Sequence, residues 1–297
     1  MPLSSADFKG VYTALVTPFR DDKVDEAALT ALIEAQIAGG VTGIVPVGTT
    51  GESPTLDYDE HLRVIELSVA VSKGRAQVIA GTGSNSTKEA IHLSTEAERL
   101  GADALLLVAP YYNKPTQEGL FQHFMKIAEA VKIPIILYSI PGRCGIEIGV
   151  DTVARLAAAA PNIVAIKEAG GSVDRVTRLR QVLPPTFAIL SGDDGLTLPF
   201  LSVGAVGVIS VASNLIPKAI VDLVAMYSNG ELIEAEFLHR RLTPLFRDLF
   251  IESNPVPVKF ALAREGKMTE DVRLPLVPLS GASREKLAKT LDTFYGR

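Results

Sequence analysis

The sequence holds a single cysteine, Cys144, among 297 residues. One thiol excludes an internal disulfide and a cysteine-built zinc site, and it suits a reducing compartment. Histidine is scarce too: His61, His92, His123 and His239 fall on separate predicted helices without ligand spacing, so no metal site is expected. No stretch of about 18 apolar residues runs free of charges and turn residues, which excludes a membrane-crossing helix. The opening residues, Met1-Pro2-Leu3-Ser4-Ser5, lack the charged-then-apolar order of a secretory leader, and the expected location is the cytoplasm. A dominant charge sign is missing as well. The 29 basic and 34 acidic residues leave a net charge of -5, spread without long runs. No basic footprint for nucleic acid or an anionic membrane follows, so the expected partner is a small molecule.

What is present is apolar material, 47% of the chain, enough for a deep core. Short β-branched runs recur at residues 11–16, 43–47, 76–80, 104–108, 134–138, 163–167, 187–190 and 205–210. Between them lie stretches with helical periodicity, at 25–38, 58–72, 87–100, 117–131, 150–159, 173–183 and 195–203. Strands alternating with helices imply parallel pairing, and strands apolar throughout imply cover on both faces. Eight such units predict an α/β fold, a (β/α)8 TIM barrel; a doubly wound open sheet is the alternative. After Val211 only helical segments appear, at 216–228, 232–250, 255–264 and 283–295. The expected division is a catalytic barrel over residues 1–225 and a C-terminal helical region over 226–297. Such an appendage covers a flank of the barrel or meets a neighbouring subunit.

Lys167 closes the apolar run that begins at Pro161. Two readings compete: a lysine that snorkels to solvent, and an enclosed one whose ammonium form is disfavoured, leaving a free amine that attacks carbonyl carbon. Its company favours the second. Other predicted strands end in Gly48-Thr49-Thr50-Gly51-Glu52-Ser53, in Pro110-Tyr111-Tyr112-Asn113, in Tyr138-Ser139-Ile140-Pro141-Gly142-Arg143 and in Ser191-Gly192-Asp193-Asp194. In a parallel barrel all these ends share one mouth, where catalytic groups of the fold sit. The Thr49-Thr50 turn either bonds its own backbone or binds a carboxylate on its exposed amides. Tyr138 is either core or a phenol that relays protons. Arg143, in a glycine-flanked loop, is either solvated or the bidentate partner of a substrate carboxylate. Asp193-Asp194 reads as a helix N-cap in preference to an acid-base pair. Gly81-Thr82-Gly83 follows a strand as a dinucleotide fingerprint does, but the third glycine is absent and nucleotide binding is not expected.

Together Gly48 to Ser53, Tyr138 with Pro141, Lys167-Glu168, Ser191 to Asp194 and Gly207-Val208-Ile209-Ser210 resemble the pyruvate-dependent class I aldolases of the dihydrodipicolinate synthase and N-acetylneuraminate lyase family. The likeness runs from Gly10 to Leu279. Thr49-Thr50, Tyr111-Tyr112 and Arg143, with the segments 254–259 and 273–279, are similar to the synthase branch. The resemblance implies a lyase in which Lys167 forms a Schiff base with pyruvate. The derived enamine then attacks L-aspartate 4-semialdehyde to give 4-hydroxy-tetrahydrodipicolinate, the committing step toward lysine and diaminopimelate. It implies a proton relay of Tyr138, Thr50 and Tyr112, with Tyr112 supplied by a neighbouring subunit. Arg143 would hold the semialdehyde carboxylate, while Thr49, Thr50 and the Ile209 backbone would contact pyruvate. No cofactor beyond the covalent pyruvate is implied. A homotetramer built as a dimer of dimers is implied, and so is feedback by L-lysine at Ser53, Pro54, His61, Asn85, Glu89 and Tyr111. This chain departs from common members at Ser139 and Cys144, where asparagine and threonine are frequent, and at Tyr58, where some inhibited members carry histidine. Rival readings are an aldolase cleaving a 2-keto-3-deoxy sugar acid or sialic acid, against which Arg143 speaks, and a non-catalytic binding barrel.

Overall fold

The structure, a computed structural model, describes residues 7–297. Strand β1 (Gly10–Ala14) opens it, and a hairpin of β2 (Phe19–Arg20) and β3 (Lys23–Val24) precedes α1 (Glu26–Ala38). Then strands and helices alternate: β4 (Gly43–Val45) and α2 (Tyr58–Ser72), β5 (Gln77–Gly81) and α3 (Thr87–Arg99), β6 (Ala104–Val108) and α4 (Gln117–Ala130). Next come β7 (Ile135–Ser139) with the short α5 (Pro141–Cys144) and α6 (Val150–Ala159), and β8 (Ile163–Glu168) with α7 (Val173–Val182). Last are β9 (Ala188–Ser191) with α8 (Thr197–Leu201), and β10 (Gly207–Ser210) with α9 (Pro217–Ser228).

All strands but β2 and β3 pair in parallel in the order β1-β10-β9-β8-β7-β6-β5-β4 and close back on β1. The closed barrel settles the choice against an open sheet. Its strands are buried almost throughout, with Leu105, Ile136, Ile166 and Ile189 fully enclosed, as strands sandwiched between a barrel interior and a ring of helices must be. Truncating one of these, for example Leu105→Ala, costs about 2–5 kcal/mol. Glycine is required at the seam: a Cβ on Gly207 would stand 2.1 Å from the Gly10 carbonyl oxygen, so any side chain there would force β1 and β10 apart.

Helix starts follow local chemistry. Asp25, Asp57, Ser86, Thr116 and Ser172 each accept a backbone N–H in the first turn of α1, α2, α3, α4 and α7, and Asp57 with Glu60 forms a full capping box. The hairpin was not foreseen, because its strands have two residues each and its turn is Asp21-Asp22 at φ 53° and 60°, not a glycine-bearing pair. The helix expected over 195–203 is shorter, a 3-10 turn followed by α8.

Beyond the barrel, α10 (Leu232–Asp248), α11 (Val256–Arg264) and α12 (Gly281–Tyr295) form the C-terminal extension. Helix α10 packs on α9 and α12. Buried Asp248, at the end of α10, accepts a hydrogen bond from Thr290 of α12 at 2.6 Å.

Candidate active site

Lys167 stands at the C-terminal end of β8, register partner of Tyr138 on β7 and Leu190 on β9. It is 5% exposed, and its Nζ lies 4.2 Å from the centroid of the Tyr138 ring. Burial lowers its pKa to about 7, more than the nearby Asp194 carboxylate restores, and Arg143 pushes the same way as burial. A large fraction of the amine is therefore unprotonated near neutrality.

Tyr138 is buried, and the Thr49 side chain stands beside its phenol and lowers its pKa. Burial raises the phenol to about 12, so it stays protonated and can donate. Tyr138 and Thr49 line a cavity of about 220 Å3 together with Val47, Gly48, Arg143 and Cys144. Lys167 is not on that wall; it lies against the Tyr138 ring.

The turn after β4 is built to expose its amides. Val47 sits at φ 51°, a left-handed conformation that a β-branched residue rarely adopts, and Gly81 opposite has no side chain, since a Cβ there would meet the Val47 oxygen at 2.5 Å. The Thr49 and Thr50 N–H groups that follow have no partner among the described residues. Here the structure corrects the expectation for Thr50. Adjacent residues of a turn point in different directions: Thr49 faces the phenol, while buried Thr50 turns away and its Oγ1 accepts Asn254 Nδ2 at 2.9 Å.

Arg143 lies in α5, not in a loop: Pro141 starts this single turn and Gly145, at φ 70°, ends it. Its guanidinium is exposed, borders the cavity and donates from Nη2 to the Asn254 carbonyl at 3.1 Å. Cys144 beside it is buried, and burial pushes its thiol up to about 11. Ile209 is buried in β10 opposite Tyr12. Tyr112 is not part of this cavity; it is 90% exposed and held at φ 73° in the loop after β6.

Two groups near the lysine were missed or misread from sequence. Asp193 is the expected cap, accepting the Gly195 and Leu196 N–H groups. Asp194 is not: it is buried, its Oδ2 accepts the Val211 and Ala212 N–H groups at 3.1 and 2.9 Å, and burial raises it to about 6. A second acid where one suffices for capping was the available signal. Glu168, next to Lys167, is fully buried and bonds Arg175 Nε and Gly170 N at 2.8 and 2.7 Å, which fastens the end of β8.

A second cavity, of about 410 Å3, backs onto the first and shares Ser53, Pro54, Gly83 and Tyr111 with it. His61, Glu89 and Tyr58 are also part of its wall. Glu89 accepts hydrogen bonds from Tyr58 at 2.8 Å and Ser84 at 2.5 Å, His61 Nε2 meets the Gly81 oxygen at 2.9 Å, and Asn85 donates to the Tyr111 oxygen at 3.2 Å. The residues named for lysine thus surround one space, Asn85 standing behind Tyr111.

Residues 7–294 match the family described as the dihydrodipicolinate synthetase family. The 4-hydroxy-tetrahydrodipicolinate synthase of Endomicrobium trichonymphae is 52% identical over 287 residues, 97% of this chain and 98% of that protein. Among solved structures, the 4-hydroxy-tetrahydrodipicolinate synthase of Methylacidiphilum fumariolicum SolV is 57% identical with a TM-score of 0.96, covering 97% of this chain and 96% of that one. DHDPS from Cyanidioschyzon merolae, solved with lysine bound, is 41% identical with a TM-score of 0.95, covering 97% and 99%.

Proposed function

The chain belongs to the dihydrodipicolinate synthetase family and condenses pyruvate with L-aspartate 4-semialdehyde to 4-hydroxy-tetrahydrodipicolinate, and we propose that it does so through a Schiff base on Lys167. The observation that carries this reading is the enclosed amine of Lys167, its pKa lowered by burial to about 7, at the mouth of the barrel against a protonated phenol.

In the proposed sequence the Lys167 amine adds to the C2 carbonyl of pyruvate. The pyruvate carboxylate rests on the free amides of Thr49 and Thr50, and the Ile209 backbone contacts pyruvate. The Tyr138 phenol gives a proton to the departing hydroxyl, water leaves and an iminium remains. Loss of a methyl proton yields the enamine, whose carbon attacks the aldehyde of the second substrate while Arg143 holds that substrate's carboxylate. The amine of the second substrate then attacks C2, the ring closes and Lys167 is expelled as free amine. Thr49 passes the proton to and from Tyr138, and Tyr112 from a second copy of the chain carries it toward solvent. That role suits a tyrosine presented to the outside, and it makes an oligomer, a tetramer in this reading, necessary for full activity. No cofactor takes part.

Incubation with pyruvate and borohydride, digestion and mass spectrometry test the central step. Reduced pyruvyl adduct is expected on Lys167; folded protein without it would leave a binding barrel in place of a Schiff-base enzyme.

A second reading concerns the 410 Å3 cavity behind the active site, where L-lysine is the proposed feedback ligand. The Glu89 carboxylate offers a partner for an ammonium group, and the shared wall of Ser53, Pro54 and Tyr111 connects that ligand to the catalytic cavity.

A further inference from the structure

The C-terminal extension reaches into the active site at one residue, Asn254, between α10 and α11. Asn254 is 5% exposed and makes two contacts, one to each side of the site. Its side-chain Nδ2 donates to Thr50 Oγ1 at 2.9 Å, and its backbone carbonyl accepts Arg143 Nη2 at 3.1 Å. That carbonyl is the one hydrogen-bond partner of the Arg143 side chain among the described residues. The turn that carries Thr50 is tied down a second time from the same region: fully buried Lys259, in α11, pairs with Glu52, donates to the Asp271 oxygen at 2.8 Å and stands 4.2 Å from the Phe19 ring centroid. The other Glu52 oxygen accepts Arg273 N at 3.1 Å.

A long exposed arginine samples many rotamers, and a bidentate grip on a carboxylate requires one of them. The Asn254 carbonyl selects it. A carbonyl can do so only if its own backbone is fixed, and the side chain of the same residue fixes it by its bond to Thr50. We propose that Asn254 is a positioning residue, working through Thr50, that sets the Arg143 guanidinium for the carboxylate of the second substrate. This rests on the Arg143 assignment above. It assigns the extension a part in selecting the acceptor aldehyde while leaving the pyruvate step to the barrel's own residues.

The bond can be cut from either end. Asn254→Ala and Thr50→Val are each expected to raise the KM for L-aspartate 4-semialdehyde about tenfold, the value of one buried hydrogen bond expressed in binding. For Asn254→Ala, the KM for pyruvate and the rate of borohydride-trapped adduct formation on Lys167 are expected to stay within about twofold of the parent. The double variant is expected to be no worse than either single one, because both remove the same bond. If Asn254→Ala fails to fold, Asn254→Leu, close to asparagine in size and without a donor for Thr50, takes its place. An unchanged semialdehyde KM, or a parallel loss of adduct formation, overturns the proposal. Absence of adduct in the parent protein would instead overturn the Schiff-base reading, so the two failures are distinct.

Discussion

Lys167 and Tyr138 are register partners on neighbouring strands, and the lysine nitrogen lies 4.2 Å from the centre of the tyrosine ring. A ring face attracts a cation and also tolerates a neutral amine, whereas a carboxylate at that distance would hold the proton in place. The nearest acidic influence is Asp194, whose Oδ2 is occupied by two backbone N–H groups, and it restores only part of what burial takes away. The nucleophile is thus tuned by enclosure first and charge second.

This tuning sets the pH dependence of the first covalent step. The neutral amine reacts, so adduct formation with pyruvate should climb about tenfold per pH unit below the lysine pKa of about 7 and level off above it. Asp194→Asn removes a charge that raises the lysine pKa, so the midpoint should move to lower pH. Stopped trapping with borohydride across pH 5 to 9 measures both; a midpoint near the ordinary lysine value would show that Lys167 is not enclosed in solution.

The two threonines of the turn after β4 are expected to separate functionally. Thr49 stands beside the Tyr138 phenol, whereas the Thr50 hydroxyl is engaged by Asn254. Tyr138→Phe should lower kcat on the order of a hundredfold, the usual worth of a positioned proton donor. Thr49→Val should produce a smaller loss of the same kind, and the double variant should resemble Tyr138→Phe alone, because the threonine acts through the phenol. Additive losses in steady-state kinetics would mean that Thr49 serves substrate directly and relays nothing.

The barrel was legible because its strands are apolar on both faces and the stretches between them carry helical periodicity, both local signals. The gathering of Thr49, Tyr138, Arg143 and Lys167 followed from the fold alone, since parallel strands bring their C-terminal ends to one mouth. What stayed hidden has three causes. Between Thr49 and Thr50 the choice depends on turn dihedrals, set here by Val47 at φ 51°, and two identical residues carry no label. Asp194 was hidden by its neighbour, since a pair of acids before a helix reads as a cap and only one of them is. Asn254 and Lys259 meet Thr50 and Glu52 from more than 200 positions away, a contact with no periodicity to betray it.

Under the proposed lysine reading, affinity is expected to turn on Tyr58, which stands where the family resemblance places histidine in some inhibited members. In the cavity behind the active site its hydroxyl donates to Glu89 Oε1 at 2.8 Å, and Ser84 occupies Oε2. The carboxylate is therefore satisfied before any ligand arrives, and an entering ammonium must share it or displace a donor, which weakens binding. Tyr58→Phe frees one oxygen without removing the ring and should lower the lysine concentration giving half-inhibition severalfold. Glu89→Gln removes the charge and should abolish inhibition while leaving the uninhibited rate close to the parent's, since Glu89 does not border the catalytic cavity. Initial rates measured against lysine up to the millimolar range check both. A rate that stays flat for the parent and for Tyr58→Phe alike would show that this cavity, although lined by the matching residues, does not report to Lys167.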